Sequence, residues 1–411
     1  MAKKKSKRVK KAAPDMEAAK ARYRAHYRAG RLDQALNVVV ALIRRGVAHP
    51  NIFSDAAVAS IYLGKWADAI VYAEKALALD PSNLSAADAA AHAHGALKQW
   101  EKAAIVGRKA LELRDGLVPR DKPVDLPLAE LPQGAQKDVI AFSLFGGNSK
   151  YCETAILNCI EQPRLYPDWV CRFYVDDTVP ATVIKRIRSA GGEVCEVAQD
   201  VAAWPGPMWR FAAYDDPDVR RVIFRDADSV ISQREAAAVK EWIDDETGFH
   251  AMRDIGTHTE LLLAGLWGVK KGALPLMADM VTDFLRKPVE DSHFADQYFL
   301  RSYVWPYARN SLTQHDSVFG FLDAKPFPDG ERPDRSHAAF AEGAMVMAIT
   351  SEHPDGTDLN WVLTDRRPQT AHVICRYQGK VQGGKVTANI PARYGKMLQT
   401  GEMSITLEGT P

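Results

Sequence analysis

A motif recurs every 34 residues in the first part of the chain. The segments GRLDQAL, GKWADAI and KQWEKAA begin at Gly30, Gly64 and Lys98, and each places an alanine at the same position. A fixed period of this length in alanine-rich sequence predicts paired helices, because each pair can bury its apolar face only against the next pair. We therefore expect residues 15–115 to form a stack of helical hairpins.

One of these copies also matches a known repeat. Its last helix, YAEKALALDPSN, resembles the closing helix of a tetratricopeptide repeat (TPR), and Pro81 ends it because proline cannot continue a helix. The resemblance implies a concave surface that binds a protein partner or a second copy of the chain. A generic helical bundle is the alternative interpretation.

The charge of the chain is balanced overall but concentrated at its start. The formal net charge is +1, yet residues 1–11 (MAKKKSKRVKK) carry seven basic residues and no acid. The balanced total gives no case for nucleic-acid binding. A block of like charges predicts a disordered tail over residues 1–14, with an anionic membrane surface as the alternative partner.

No segment has the pattern of a signal peptide or a membrane span. The apolar stretches are far shorter than the ~20 residues that cross a bilayer, and no apolar core follows the basic start. Five cysteines without a C-x-x-C pair are typical of reduced, buried thiols. We expect a cytoplasmic protein, with peripheral contact at the inner face of a membrane left open.

A proline-rich segment separates two kinds of sequence. Residues 116–137 contain four prolines, which predicts an extended linker. Beyond it, short apolar runs alternate with helical stretches, which predicts βα units around a parallel sheet over residues 138–344. Short β-like runs between Gly and Pro follow, so residues 345–411 are expected to form a small β-rich extension.

Two aspartates one residue apart follow the predicted fourth strand. In VIFRDADSVI the apolar run ends at Asp226 and Asp228, two like charges whose repulsion something must offset. Hard carboxylate oxygens suit Mg²⁺ or Mn²⁺, which can bridge to substrate phosphates. A charged loop before the next helix, or a phosphotransferase or phosphatase with Asp226 as its nucleophile, are the other interpretations.

The surroundings of this motif resemble the A-type glycosyltransferase (GT-A) fold, a Rossmann-like sheet in which D-x-D and a metal hold a nucleotide-sugar. The resemblance covers residues 138–325 and is strengthened by LLLAGLWGVKKGAL, HFADQYFLRS and SLTQHDSVFG, the last two similar to glycosyltransferase family 8. The H-x-x-G-x-x-K-P-W form of that family is absent. The resulting fold class is multidomain: TPR-like α-hairpins, a GT-A α/β domain and a β-rich C-terminal segment.

The resemblance implies roles for individual residues. The metal, Mn²⁺ or Mg²⁺, would be held by Asp226, Asp228 and His315, with Asp226 also orienting the ribose. The reacting face of the sugar would be lined by Asp296 and Gln297, in the D-Q segment.

Further residues of the donor site lie at or after predicted strands. Gly265 would let the sugar approach the backbone, Asp254 would bind sugar hydroxyls or serve as a base, and Trp204 and Trp209 would offer aromatic faces. The remaining donor-binding residues implied by the resemblance are Phe142, Ser143, Gly146, Asp176 and Arg210.

These features favour a metal-dependent glycosyltransferase. It would move a hexose from a nucleotide-diphosphate sugar, with UDP the leading candidate, to a glycan or protein acceptor. The D-Q segment and His315 favour retention of configuration; for inversion, Asp254 or Asp296 would be the base. The alternatives are a TPR adaptor with a non-catalytic nucleotide-binding domain, and the Asp226 phosphotransferase or phosphatase.

Overall fold

A computed structural model describes residues 16–121, 137–253, 255–288, 292–328, 343–368 and 371–409. The chain divides into two units, Met1–Gly116 with Gly256–Thr259, and Leu117–Ile255 with Glu260–Pro411. The predicted basic tail, Asp254 and most of the predicted linker lie outside the described residues.

The described part of the first unit contains six helices, as the 34-residue period predicts. They are α1 (Met16–Arg28), α2 (Leu32–Arg44), α3 (Pro50–Tyr62), α4 (Trp66–Leu79), α5 (Leu84–Ala96) and α6 (Trp100–Leu117). The repeated alanines Ala35, Ala69 and Ala103 are fully buried, which lets neighbouring helices approach closely. The TPR-like stack of hairpins is therefore confirmed.

The same position of each repeat adopts a left-handed backbone conformation. Gly30 and Gly64 have φ of 68° and 67°, and Lys98 has φ of 58°. Each lies in the turn between the two helices of a hairpin. Glycine adopts this conformation freely, whereas the Cβ of lysine opposes it.

The second unit is built on a sheet of seven strands in the order β3-β2-β1-β4-β6-β5-β7. The strands are β1 (Lys137–Leu144), β2 (Trp169–Val175), β3 (Glu193–Glu196), β4 (Val219–Arg225), β5 (Phe249–Arg253), β6 (Leu266–Lys270) and β7 (Leu312–Asp316). The helices are α7 (Ser149–Leu165), α8 (Ala181–Ser189), α9 (Gln199–Ala202), α10 (Gln233–Asp244), α11 (Met277–Leu285), α12 (Ala295–Phe299) and α13 (Trp305–Ala308), together with a 3₁₀ segment Gly206–Tyr214 and a π-helical turn Leu300–Val304.

The sheet is mixed, whereas the sequence pattern predicts a parallel one. Strand β1 pairs in parallel with β2 and β4, and β5 pairs in parallel with β7, but β6 runs antiparallel to both β4 and β5. A parallel connection needs a crossover, usually a helix. No helix lies in the described residues between β5 and β6, so the chain returns in the opposite direction.

The strand order reverses at β1. The chain adds β2 and β3 on one side of β1 and then places β4 on its other side. Open α/β sheets form a ligand-binding crevice at such a switch point, beyond the carboxyl ends of the two strands. Asp226 and Asp228 directly follow β4 and therefore lie at this crevice.

The C-terminal part is rich in β structure, as predicted. Its elements are β8 (Ala344–Thr350), β9 (Asp358–Asp365), β10 (His372–Lys380), β11 (Lys385–Pro391), α14 (Ala392–Gln399) and β12 (Met403–Gly409). Strand β9 lies between β10 and β12, and β8 pairs with β11. Strand β9 and helix α14 are not among the predicted elements, although the buried residues Leu359, Trp361 and Leu363 of β9 lie two positions apart.

The cysteines lie mostly in the interior of the fold, as expected. All five cysteines are free; four are buried, and Cys195 is half-buried. Within the described ranges, no helix is long and apolar enough to cross a membrane.

Candidate functional site

Asp226 lies in the crevice, and its carboxylate accepts a hydrogen bond from the buried Arg210. The Arg210 Nη1 donates to Asp226 Oδ1 at 2.5 Å and to the Arg225 carbonyl at 2.9 Å, while Nη2 donates to Asp296 Oδ2 at 3.0 Å. The Arg210 side chain is 2% exposed and that of Asp226 is 55% exposed. Arg210 is thus a buried bridge between two carboxylates, one of which reaches solvent.

The charges around Asp226 keep it ionised. Desolvation by the surrounding protein acts to raise its pKa, but Arg210, with Arg225 and Lys150, outweighs that effect. The pKa of Asp226 is therefore lower than its ordinary value.

Asp228 is paired with a different cation. Its Oδ2 lies 2.8 Å from the Nζ of Lys150, in the first turn of α7, and both side chains are about one-third exposed (33% and 36%). The repulsion between the two aspartates is thus offset by Arg210 and Lys150. Among the described residues, the second carboxylate oxygen of each aspartate makes no hydrogen bond or ion pair.

Gly265 provides the space for the Asp226 carboxylate. A Cβ at position 265 would lie 2.2 Å from Asp226 Oδ2 and 2.6 Å from its Cγ. The carbonyl of Gly265 also accepts a hydrogen bond from Arg225 at 2.8 Å. The Asp226 carboxylate alone therefore requires glycine here, and the approach of a sugar to Gly265 stays a prediction.

Asp296 and Gln297 are both engaged by the protein. Asp296 is 6% exposed and accepts from Arg210. With its amide oriented to match its neighbours, Gln297 donates to the Leu262 carbonyl at 3.0 Å and accepts from the Ala264 amide at 2.7 Å. The D-Q segment therefore holds Arg210 and the loop before Gly265 in place.

The predicted nucleotide contacts at the end of β1 need correction. Phe142 is fully buried and stacks on Phe173 with ring centroids 4.7 Å apart, so it cannot contact a nucleotide. The Ser143 hydroxyl is engaged too, because it accepts from the Arg210 amide at 3.0 Å and donates to the Pro207 carbonyl at 3.2 Å.

Gly146 and Asp176 are brought together through Thr178. Asp176 Oδ1 accepts from the Thr178 amide at 3.1 Å and from its hydroxyl at 2.5 Å. The same hydroxyl accepts from the Gly146 amide at 2.6 Å. These bonds join the turns that follow β1 and β2.

Phe145, between the predicted contacts Ser143 and Gly146, presents an aromatic ring at the crevice. Its side chain is 45% exposed, and its ring meets Trp209 edge-on at 5.5 Å. A Cβ at Gly206 would lie 2.8 Å from the Phe145 ring. The absence of a side chain at Gly206 therefore leaves room for this ring. Trp204 and Trp209 themselves are 7% exposed and support the loop instead of offering open faces.

His315 does not join the aspartates. It is fully buried on β7, where its Nδ1 lies 2.9 Å from His250 Nε2 and its Nε2 lies 3.0 Å from Glu241 Oε2. Both ring nitrogens are therefore occupied, and burial lowers the pKa of His315. The described residues contain no group of three His, Cys, Asp or Glu that could hold a metal, so the predicted three-residue metal site is not formed.

Arg253, the last residue of β5, is also internal. It is 1% exposed and donates to the carbonyls of Glu260 and Leu261 and to Gln314. Burial lowers the pKa of Arg253 to about 10. Its guanidinium fixes a loop and is not open to a diphosphate.

Comparisons with known proteins find partial likenesses in structure. No family model matches the chain, and no curated protein matches its sequence. Similar solved structures include the TPR domain of Arabidopsis OM64 (25% identity, 24% of this chain and 85% of that one, TM-score 0.23) and an O-GlcNAc transferase mutant of Thermobaculum terrenum (13% identity, 51% and 50%, TM-score 0.27). A third is the 4-diphosphocytidyl-2C-methyl-D-erythritol synthase of Anaerococcus prevotii (9% identity, 44% and 89%, TM-score 0.28). TM-scores this low carry no function from these proteins to this chain.

Proposed function

We propose that the chain is a metal-dependent glycosyltransferase that uses a nucleotide-diphosphate sugar. The observation that carries this proposal is the position of Asp226 and Asp228. They place two solvent-accessible carboxylates at the switch point of an open α/β sheet, where such folds bind nucleotides.

A divalent cation fits these two carboxylates. Each has one oxygen beyond the one that binds its protein cation, and Mg²⁺ is usually held by one or two carboxylates together with substrate phosphates. The lack of a third protein ligand among the described residues suits an ion whose coordination a diphosphate completes. When bound, Mg²⁺ or Mn²⁺ would stabilise the negative charge that develops on the leaving diphosphate.

The nucleoside is assigned to the mouth of the crevice at Phe145. Stacking of a base on an aromatic ring is worth roughly 1–3 kcal/mol, and the Phe145 ring is accessible and supported from behind. Asp176, half-buried in the adjoining turn, remains the proposed contact for ribose or base. Uridine is the leading nucleoside, from the resemblance alone.

The buried polar residues around the crevice hold its geometry. Arg210 fixes Asp226 through its bonds to Asp296 and to the Ser143 hydroxyl, and Gln297 fixes the loop that passes Asp226. We assign Asp296 and Gln297 as positioning residues, because the protein occupies their polar atoms. Retention of configuration stays a prediction.

The helical unit is proposed to bind the acceptor or a protein partner. A polar hollow lies across α1, α3 and α5, lined by Lys20, Arg24, Asn51, Asp55 and Asn83 among others. Its mixture of cations, amides and one carboxylate suits a polar polypeptide segment.

The proposal is tested by donor turnover. The full chain is incubated with UDP-, GDP- and dTDP-sugars and Mn²⁺, and the release of nucleoside diphosphate is measured. We expect metal-dependent release that Asp228→Asn removes and that Asp244→Asn, an exposed aspartate at the end of α10, leaves unchanged. A folded chain that neither binds nor turns over any donor would overturn the proposal, and a phosphoenzyme labelled at Asp226 would support the phosphotransferase instead.

A further inference from the structure

Helix α7 is held along one face by the C-terminal strands. Residues four positions apart share a face of a helix, and four such residues contact the C-terminal segment: Ser149, Glu153, Leu157 and Glu161. The Ser149 hydroxyl donates to the Asn389 carbonyl and the Tyr377 hydroxyl to Glu153, both at 2.7 Å. These contacts fix the rotation and the axial position of α7.

The braced helix delivers Lys150 to the crevice. Lys150 is the second residue of α7, and the Asn148 side chain caps its backbone amide at 2.9 Å. In the described part of the chain, the ammonium group makes one ion pair, with Asp228 at 2.8 Å. The positive end of the helix dipole adds to the positive charge at this point.

A divalent cation on the second oxygen of Asp228 would repel the Lys150 ammonium group and weaken its ion pair. A carboxylate that binds a metal is neutralised, and an ammonium group beside it then needs another anion. A diphosphate at the crevice supplies that anion, and the flexible stem of lysine allows the ammonium group to move a short distance.

We propose that Lys150 is a ligand of the diphosphate of the donor, and that it exchanges Asp228 for a phosphate oxygen when the donor binds. This inference rests on the proposed function and names a residue that binds the leaving group. It predicts two effects of opposite sign when the ammonium group is removed. Diphosphate binding weakens because a cation is lost, whereas binding of the free metal tightens because the repulsion from the ammonium group is lost.

The test is calorimetric titration of the folded full-length chain. The variants are Lys150→Met, Lys150→Arg, which keeps the charge, and Lys185→Met, an exposed lysine of α8 as control. The titrants are UDP with Mn²⁺, pyrophosphate with Mn²⁺, uridine, and Mn²⁺ alone. We expect Lys150→Met to weaken UDP and pyrophosphate about tenfold, to leave uridine unchanged and to strengthen Mn²⁺.

The outcomes separate this inference from the function on which it rests. Unchanged UDP and pyrophosphate binding in Lys150→Met overturns the inference, while the proposed function stands if Asp228→Asn still removes turnover. Equal weakening of UDP, uridine and Mn²⁺ indicates a merely structural lysine and also overturns it. An unmodified chain that binds no nucleoside diphosphate overturns both.

Discussion

Gly265 and Asp226 lie so close that the site admits no side chain between them. A Cβ at position 265 would meet Asp226 Oδ2 at 2.2 Å. We expect Gly265→Ala to displace the carboxylate and to lower donor turnover on the order of a hundredfold, with a loss of about 1–3 kcal/mol in the free energy of unfolding. Gly116→Ala, where a Cβ meets nothing within 4 Å, is the control, and equal turnover in both variants would contradict the expectation.

Arg210 is a buried cation that binds two carboxylates, the buried Asp296 and the exposed Asp226. Arg210→Met removes the buried cation that Asp226 and Asp296 share, so the free energy of unfolding should fall by roughly 3–5 kcal/mol in urea titrations. The exposed pair of Arg286 and Asp283, with side chains 74% and 55% exposed, provides the contrast. Arg286→Met should change stability by less than about 1 kcal/mol, and similar losses in the two variants would show that burial does not matter here.

Lys98 adopts a left-handed backbone conformation at a position that is glycine in the other two repeats. Lys98→Gly removes the opposition of Cβ, worth about 1–2 kcal/mol, and adds the chain entropy of glycine, about 0.5–1 kcal/mol. We therefore expect a net gain of roughly 0.5–1 kcal/mol in the free energy of unfolding of the helical unit. Gly64→Ala should do the reverse, and a loss of stability in Lys98→Gly would mean that its side chain matters more than its φ.

The buried pair of His250 and His315 makes stability depend on pH. Burial lowers the pKa of both, that of His250 strongly, so between about pH 6.5 and their folded values the unfolded chain binds more protons. Stability should therefore fall as the pH drops below about 6.5, by up to ~1.4 kcal/mol per pH unit for each histidine. Urea unfolding at several pH values checks this, and His250→Phe should reduce the slope. An unchanged slope would assign the acid sensitivity to other groups.

Local patterns predict the elements that carry the site, but not the contacts across it. The apolar run from Val222 to Phe224 predicts the strand, and the two aspartates that follow it therefore fall at the end of that strand. The prediction that Phe142 contacts the nucleotide was wrong because β1 is covered on both faces. Beyond its buried residues, the first exposed side chain is that of Phe145. The prediction that His315 joins the aspartates in a metal site was wrong. The position of a histidine in the sequence does not show which residues of neighbouring strands will surround it.

Long-range pairs explain the remainder. Arg210 and Asp296 are 86 residues apart. The sequence around either residue does not show that the other is its partner. The direction of β6 is likewise decided by the connection that precedes it, since an apolar strand has the same pattern in either direction. One local signal was available for the missed strand β9, in the alternation of Leu359, Trp361 and Leu363.

The brace on α7 also sets an order of events during synthesis. Glu153 and Tyr377 are separated by 224 residues, which a ribosome adds in roughly 10–45 s at ~5–20 residues per second. For that time the nascent chain contains α7 without the strands that support it. Leu157 lacks its neighbours from the C-terminal segment over the same interval, and the support of the crevice is completed only after the last strands have emerged.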